Sequence, residues 1–437
     1  MAKIKNLFIH PQEDIFLDSP TYRRYWMPLE FLNAISLLKK DGIFAKLISR
    51  SEAKNLAKEG GLRFFVSTSP LDLWQSPSMG IHKDFFHFCQ DISKNNEVCV
   101  SGYHGTLLPE LMLKFSGAQV VIRSEPEETI RQISSDIPLD KIRGVTFKKD
   151  NQIIRQSDQA PCDLKKLPIP AYDQIDFNRY CYELLGWRRF ALFETSRGCK
   201  YNCNFCSKDI MYGQGFRQKT FLQVRQELET AIKNYNAKAG YIFDLDFLSD
   251  RQMAKQICEY LIEQSFDFQW CCQTRIDEAD EEILRLMARA GCRLIHYGIE
   301  SLKHLQGIKY QQQNIDTLNR VIQLTKSLGI KTLCFYIIGF RYSLYEEDRN
   351  TLQIMHKVNS SYIVLHRYYN FYDRSYLEDN ITKEAYKKNG KLEKVILFNH
   401  LFYYLHPLRI RDLIIQDKKI VILRAIKFFL KIISRIL

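Results

Sequence analysis

The stretch Thr195-Ser-Arg-Gly-Cys199-Lys-Tyr-Asn-Cys203-Asn-Phe-Cys206-Ser-Lys208 puts three cysteines in one short loop with the pattern C-x3-C-x2-C. An apolar run from Phe190 to Glu194 precedes it as a strand, and Gly198 supplies a turn. Three thiolates so spaced converge on one face of a small inorganic cluster and leave one iron without a protein ligand. Structural zinc takes four protein ligands, usually as two separated pairs, and no second pair of that kind follows. The competing reading is three cysteines that merely pack.

Downstream of the loop, helical and strand patterns alternate. Helices are expected over Thr220–Asn234, Asp250–Gln264, Glu281–Ala290 and Ile315–Leu328, with strands over Gly240–Leu245, Phe268–Gln273, Leu294–Gly298 and Lys331–Ile338, the last clear strand. Polar residues follow each strand: Asp244 and Asp246, Arg275 and Asp277, Glu300 and Ser301. That places them on the same rim as the cysteines, where a β/α barrel keeps its active site. Asp244 and Asp246 suit ribose hydroxyls, substrate or helix N-capping. Cys258, Cys271, Cys272, Cys292 and Cys334 lie in apolar runs and read as core.

Upstream, strands are expected at Lys5–His10, Ala45–Ile48, Arg63–Ser67, Val98–Ser101 and Val120–Arg123, with a helix over Pro28–Lys40. This rhythm predicts a doubly wound parallel sheet whose ligand lies beyond the carboxyl ends of its strands. Those ends carry Ser67, Ser101, Gly102, His104, Gly105, Thr106 and Glu125. Small and hydroxylated residues there let backbone approach a large planar ligand.

The cysteine loop resembles the signature of the radical S-adenosylmethionine (SAM) enzymes. The resemblance implies a 4Fe-4S cluster on Cys199, Cys203 and Cys206 whose open iron chelates SAM, with Phe205 beside the adenine and Glu300 and Ser301 as SAM contacts. Arg275 is placed either on the SAM carboxylate, which a guanidinium fork matches, or in a solvated salt bridge. The runs Ser101-Gly-Tyr-His-Gly-Thr106 and Arg123-Ser-Glu-Pro-Glu-Glu-Thr129, with Ser69-Pro-Leu-Asp-Leu-Trp74, resemble the cobalamin-binding domain of one large radical SAM subfamily. That subfamily often has an Asp-x-His-x-x-Gly loop whose His ligates cobalt from below. Here His10-Pro-Gln-Glu-Asp14 stands in its place, and His104 is either near the cobalt or bonded to loop backbone. The Phe-Pro-Gly-Glu-Thr stretch usual after the fifth barrel strand is also replaced, by Phe340-Arg-Tyr-Ser-Leu-Tyr-Glu-Glu347.

The expected architecture is therefore α/β: a Rossmann-like cobalamin-binding domain over residues 1–150, a Pro-containing linker over 151–187, a partial (β/α)6 TIM-barrel radical SAM domain over 188–375, and a basic helical segment over 376–437. The resemblance implies reductive SAM cleavage and C-methylation of a small molecule, with an electron donor such as flavodoxin or ferredoxin. The alternatives are an oxidoreductase or cyclase with a degenerate first domain, and a non-catalytic Fe-S sensor.

The 437 residues suffice for two domains. The opening shows no secretory signal and the cysteines are scattered, which points to a reducing cytoplasm. The net charge of +13 is concentrated at the end: from residue 381 onward thirteen Lys or Arg face four Asp or Glu, a net of +9. No nucleic-acid motif accompanies it, and no nucleic-acid partner is expected. In Ile420–Leu437, Arg424, Lys427, Lys431 and Arg435 recur at helical spacing, as in a helix that lies on the inner face of a membrane or packs on the barrel.

Overall fold

The computed structural model describes residues 5–10, 27–69, 71, 81, 83–203, 205–301, 315–340, 345–370, 372 and 390–406. The expected basic helix at Ile420–Leu437, most of the His10–Asp14 loop, and the segment after Phe340 up to Tyr345 lie outside them.

The first sheet collects β1 (Asn6–Ile9), β2 (Ala45–Ile48), β3 (Arg63–Ser67), β4 (Glu97–Ser101) and β5 (Val120–Ile122) in the order β2-β1-β3-β4-β5, all parallel. This is a doubly wound order, and its switch point lies between β1 and β3. Helices α1 (Leu29–Lys40), α2 (Arg50–Leu56), α3 (Lys83–Ile92), α4 (Tyr103–Leu107), α5 (Pro109–Ser116) and α6 (Glu127–Ser134) cover it. On one face Phe8 stacks on Phe65 at 4.8 Å and meets Phe31 of α1 edge-on at 5.3 Å. Phe64, Val66, Phe88 and Met112 fill the other.

The sheet does not end where the parallel pattern does. An antiparallel hairpin, β6 (Val145–Lys149) and β7 (Gln152–Arg155), extends it past residue 150. Its strands were missed because Thr146 and Phe147 are buried among flanking exposed lysines, so no apolar run announces them.

The segment after β7 is knitted to both sheets. Ala171 N donates to Leu32 O (3.1 Å), Ser36 Oγ to Ile169 O (2.6 Å), and Tyr172 Oη to Glu227 (3.3 Å). His10 Nε2 meets Tyr180 Oη at 2.8 Å, and the short strands β8 (Cys181–Tyr182) and β9 (Trp187–Arg188) close the connection.

The second sheet is β10 (Phe190–Phe193), then, beyond the ribbon β11 (Ser196–Gly198) and β12 (Phe216–Gln218), β13 (Ala239–Ile242), β14 (Gln269–Arg275), β15 (Cys292–Glu300), β16 (Lys331–Ile338) and β17 (Tyr362–Arg367). Apart from the ribbon these six strands are parallel and in sequential order, a partial barrel. Helices α7 (Lys208–Tyr212), α8 (Phe221–Glu229), α9 (Arg251–Glu263), α10 (Glu281–Arg289), α11 (Ile315–Ser327) and α12 (Tyr345–Lys357) follow the strands. Thr220 and Gln223 form a reciprocal capping box that starts α8.

Lys331–Ile338 is not the last strand: β17 pairs with it from Leu333↔Tyr362 to Ile338↔Arg367. A final helix, α13 (Gly390–Leu405), covers β17. The core is continuous between the two sheets, since Leu29, Leu32, Leu71 and Tyr103 of the first half pack with the barrel residues.

Candidate cluster and cofactor site

The cysteine loop hangs from the β11–β12 ribbon. Gly198, at φ +78°, pairs with Phe216, and a Cβ on it would lie 2.0 Å from Gly215 O, so only glycine fits. Cys199 N donates to Gly215 O (3.2 Å) and Cys206 N to Cys203 O (3.0 Å), which shapes the loop.

Its entry is fixed by Asp244, just beyond β13, which accepts from Thr195 N (2.8 Å), Ser196 N (3.1 Å) and the Thr195 hydroxyl. Asp244 therefore caps no helix. Burial lifts its carboxyl to about 6, against the pull of these donors. Burial also raises all three thiols, Cys199 to about 11 and Cys206 to about 12, so metal binding there displaces protons.

The rim around the loop is charged and aromatic. Asp246 accepts from Thr274 Oγ1 (2.7 Å) and Ser249 Oγ (2.9 Å) and so ties β13 to β14. Arg275 turns its fork onto Asp277, at 3.0 and 2.8 Å, and stacks 3.9 Å over the Tyr201 ring in the cysteine loop. Its carboxylate partner in the structure is Asp277, in a pair that is mostly buried. Phe205 meets Phe340 edge-on at 6.2 Å, and Phe340 stacks on Tyr368 at 4.6 Å, forming an aromatic wall.

Glu300 stands apart. It has φ +57°, in the left-handed region, and the strand register breaks between Gly298 and Glu300. This folds the carboxylate back over Gly298, whose missing Cβ would sit 3.0 Å from Glu300 Oε1. Oε2 is out of solvent with no hydrogen-bond partner among the described residues, although the residue as a whole is partly exposed. Burial alone pushes the carboxyl up to about 8. An orphaned acceptor whose charge acts on Cys203 fits the ammonium of an amino-acid ligand. Ser301, the next residue, is buried at the same strand end.

The shift has a measurable sign. Between about 4.5 and about 8 the unfolded chain has lost this proton and the folded chain keeps it, so Glu300 makes stability fall as pH rises. In metal-free protein, Glu300→Gln is expected to remove that slope from a series of urea titrations across the window.

On the first sheet, Ser101 Oγ is buried at the end of β4 without a hydrogen-bond partner among the described residues, and Gly102 at φ +97° has no room for a Cβ beside Thr68 Oγ1 (2.7 Å). An unsatisfied hydroxyl beside backbone stripped of side chain fits a ligand edge. The other expected contacts are more internal. Ser67 Oγ donates to Ser69 O (2.7 Å), and Thr106 Oγ1 donates to Gly102 O (3.0 Å) and accepts from Ser124 N (2.8 Å). Gly105 faces Val121, and His104 is buried against Tyr103 with its backbone N on Thr68 Oγ1 (3.3 Å).

Glu125 is bound inside the protein: its Oε2 accepts from Arg197 (3.0 Å), Arg217 (3.0 Å) and Cys162 N (2.9 Å), and its Oε1 accepts from Arg217. It belongs to a buried cluster in which Arg197 also binds Glu194 (2.7 and 3.1 Å) and Glu127 (2.5 and 3.1 Å). Arg197 and Arg217 are paired residues of the ribbon, while Glu125 and Glu127 come from the end of β5 and the start of α6. The cluster therefore bolts the cysteine-bearing ribbon to the first sheet. Glu125, Glu127 and Cys162 lie close enough together for a metal ion, but two guanidinium groups already supply the positive charge. Sequence reasoning placed Glu127 with Glu125 at a strand end but gave Arg197, Glu194 and Arg217 no role, because nothing in the spacing couples the ribbon to β5 and α6.

It also missed His366. The imidazole lies in register with Ile337 on β16 and stacks on Phe335 at 5.9 Å. The protein around it, with the His400 imidazole acting in the same direction, lowers its pKa to about 4. The β-rich run Tyr362-Ile-Val-Leu-His366 was the available signal.

Rim, loop and sheets together define an α/β protein with two parallel sheets, in which the helix after the cysteine loop packs against α4 of the first half. Residues 193–354 match the radical SAM superfamily, and the chain carries a radical SAM domain. An uncharacterized methyltransferase, PH0819 of Pyrococcus horikoshii, is 27% identical over 285 residues, 62% of this chain and 60% of that one. The anaerobic magnesium-protoporphyrin IX monomethyl ester cyclase of Rubrivivax gelatinosus is 22% identical over 368 residues, 80% of this chain and 65% of the cyclase. The chain thus spans about three fifths of the length of these relatives.

The solved structure of the radical SAM methyltransferase TsrM from Kitasatospora setae, with cobalamin and a [4Fe-4S] cluster bound, superposes with a TM-score of 0.64 at 17% identity, covering 84% of this chain and 72% of TsrM. The α/β architecture of this chain is that of the cobalamin-binding radical SAM enzymes.

Proposed function

We propose that this protein is a cobalamin-dependent radical SAM enzyme that cleaves SAM reductively and methylates an unactivated carbon of a small-molecule substrate. The observation that carries this reading is the three-thiol loop beside the orphaned Glu300 carboxylate, with the helix that follows the loop, α7, packed against α4, which follows Ser101 in the first sheet. The bound groups supply the reducing electron, the adenosyl radical and the methyl group.

The chain's residues have the following tasks. Cys199, Cys203 and Cys206 hold the cluster as thiolates. Glu300 accepts the ammonium of SAM and gives up its raised proton on binding. Phe205, with Phe340 and Tyr368 behind it, offers an aromatic wall to the adenine. Ser301 lies beside Glu300 for the methionyl and ribose parts, and Arg275, held by Asp277 and Tyr201, orients the loop. Ser101 and Gly102 meet the corrinoid edge, with Ser67, His104, Gly105 and Thr106 forming the cradle behind them. The buried Arg197 cluster keeps the two cofactor sites facing each other. A flavodoxin or ferredoxin is the fitting electron donor, and the reducing cytoplasm the fitting compartment.

The substrate proposed is an apolar small molecule: a lipid, isoprenoid or tetrapyrrole. Cyclisation or oxidation is the second reading, supported by the cyclase that aligns over 80% of this chain. The test is anaerobic reconstitution with iron, sulfide and cobalamin, followed by reduction with SAM. Formation of 5′-deoxyadenosine and a corrinoid absorbance are expected, and transfer of label from methyl-labelled SAM to bound cobalamin would favour methylation. Intact cluster without SAM cleavage would overturn the enzyme reading. SAM cleavage without bound corrinoid would leave only the oxidoreductase or cyclase.

A further inference from the structure

Helix α13 is apolar on two faces. Its inner face is pinned to the outermost barrel strand: Tyr404 Oη accepts from Ile363 N (3.0 Å), His400 Nε2 from Leu365 N (3.2 Å), and Tyr403 Oη donates to Ser360 O (2.6 Å). These side chains satisfy the backbone of an edge strand that would otherwise be open to pairing.

The outer face carries Val395, Phe398, Phe402 and Leu405, at three- and four-residue spacing, exposed by 37, 51, 67 and 50%. These are four of the nine large hydrophobic side chains left exposed among the described residues, and they form one continuous stripe on a helix about 24 Å long, given 1.5 Å per residue. A helix apolar all round is normally covered on every side.

We infer that this stripe docks the protein on an anionic lipid surface. The charge that follows it in the sequence decides the occupant. Residues 407–437 hold eight Lys or Arg against two Asp or Glu, a net of +6 in the segment that continues directly from α13. An apolar stripe joined to a basic segment matches the interface of an anionic bilayer, where both terms favour binding. A second copy of the chain is the alternative occupant, and the test below separates the two. No described helix is long and apolar enough to cross a membrane.

The test uses the full chain with vesicles of phosphatidylcholine alone and of phosphatidylcholine with phosphatidylglycerol. Co-sedimentation is expected with the anionic vesicles only. The double variant Phe398→Ser, Phe402→Ser, checked for unchanged circular dichroism and melting temperature, should bind them roughly ten- to a hundred-fold more weakly. In a separate Phe402→Trp variant the fluorescence should shift to the blue on binding and be quenched by brominated lipid. Unchanged binding by the double variant overturns the proposal, as does an unquenched tryptophan. A stripe-dependent dimer in solution with no vesicle binding would assign the face to a second copy instead. None of these readouts depends on cluster, SAM or cobalamin, so they stand or fall separately from the enzyme assignment.

Discussion

Gly198→Ala is expected to prevent cluster assembly as completely as Cys203→Ala, although it removes no ligand. An L-residue at φ +78° costs roughly 1–2 kcal/mol in backbone strain. The larger penalty is steric, since the new methyl would sit 2.0 Å from the carbonyl oxygen of Gly215. That oxygen belongs to the backbone and also accepts from Cys199 N. It cannot move away without breaking the ribbon at the step where Gly198 pairs with Phe216. The cysteines would remain in the chain but lose their common face. Iron and sulfide content after anaerobic reconstitution measures this. Near-baseline values in both variants, with unchanged far-ultraviolet circular dichroism, are the expected result, and a full cluster in Gly198→Ala would refute the steric account.

Arg197→Met is expected to cost about 3–5 kcal/mol of stability, the range for removing one partner from a buried ion-pair network. The guanidinium is fully buried and serves three carboxylates, those of Glu194, Glu125 and Glu127. Arg217 reaches Glu125 but has no recorded bond to the other two. Without Arg197, buried negative charge is left uncompensated where the ribbon meets the first sheet. Urea unfolding should show a lower midpoint. If the loss comes from stranded carboxylates, adding Glu127→Gln to Arg197→Met should recover part of it, whereas independent effects would simply add. Arg197→Lys should rescue poorly, because one ammonium cannot reproduce five directed N–H bonds to three carboxyl groups.

The most legible parts of the chain were those whose chemistry is local. A C-x3-C-x2-C loop after a strand and a glycine identifies itself, because ligand spacing and turn geometry are both encoded within fourteen residues, Thr195 to Lys208. The alternation of strands and helices was equally readable, since buried parallel strands such as Val98–Val100 appear as apolar runs. Where burial is mixed, as in the β6–β7 hairpin and in β17, the pattern carried less information and the strands went unread.

The charged rim residues lie at or just beyond the ends of barrel strands, and tertiary contact sets their partners. Arg275 was weighed between a ligand carboxylate and a salt bridge, and the folded chain pairs it with Asp277. Glu125 was placed among ligand contacts because it follows a strand of the first sheet. Its position at that strand end is local, but the direction of its carboxylate depends on Arg197 and Arg217, which arrive from another domain.

Composition and short-range spacing thus determined the fold class, the cysteine loop and the rim on which polar residues gather, because hydrophobic periodicity and turn chemistry act over a few residues. Which of those polar groups remain available to a ligand was decided by tertiary contact. A buried carboxylate or hydroxyl must find a partner or bear the desolvation cost. Glu125 finds two arginines, while Glu300 and Ser101 are left with atoms that no described side chain satisfies.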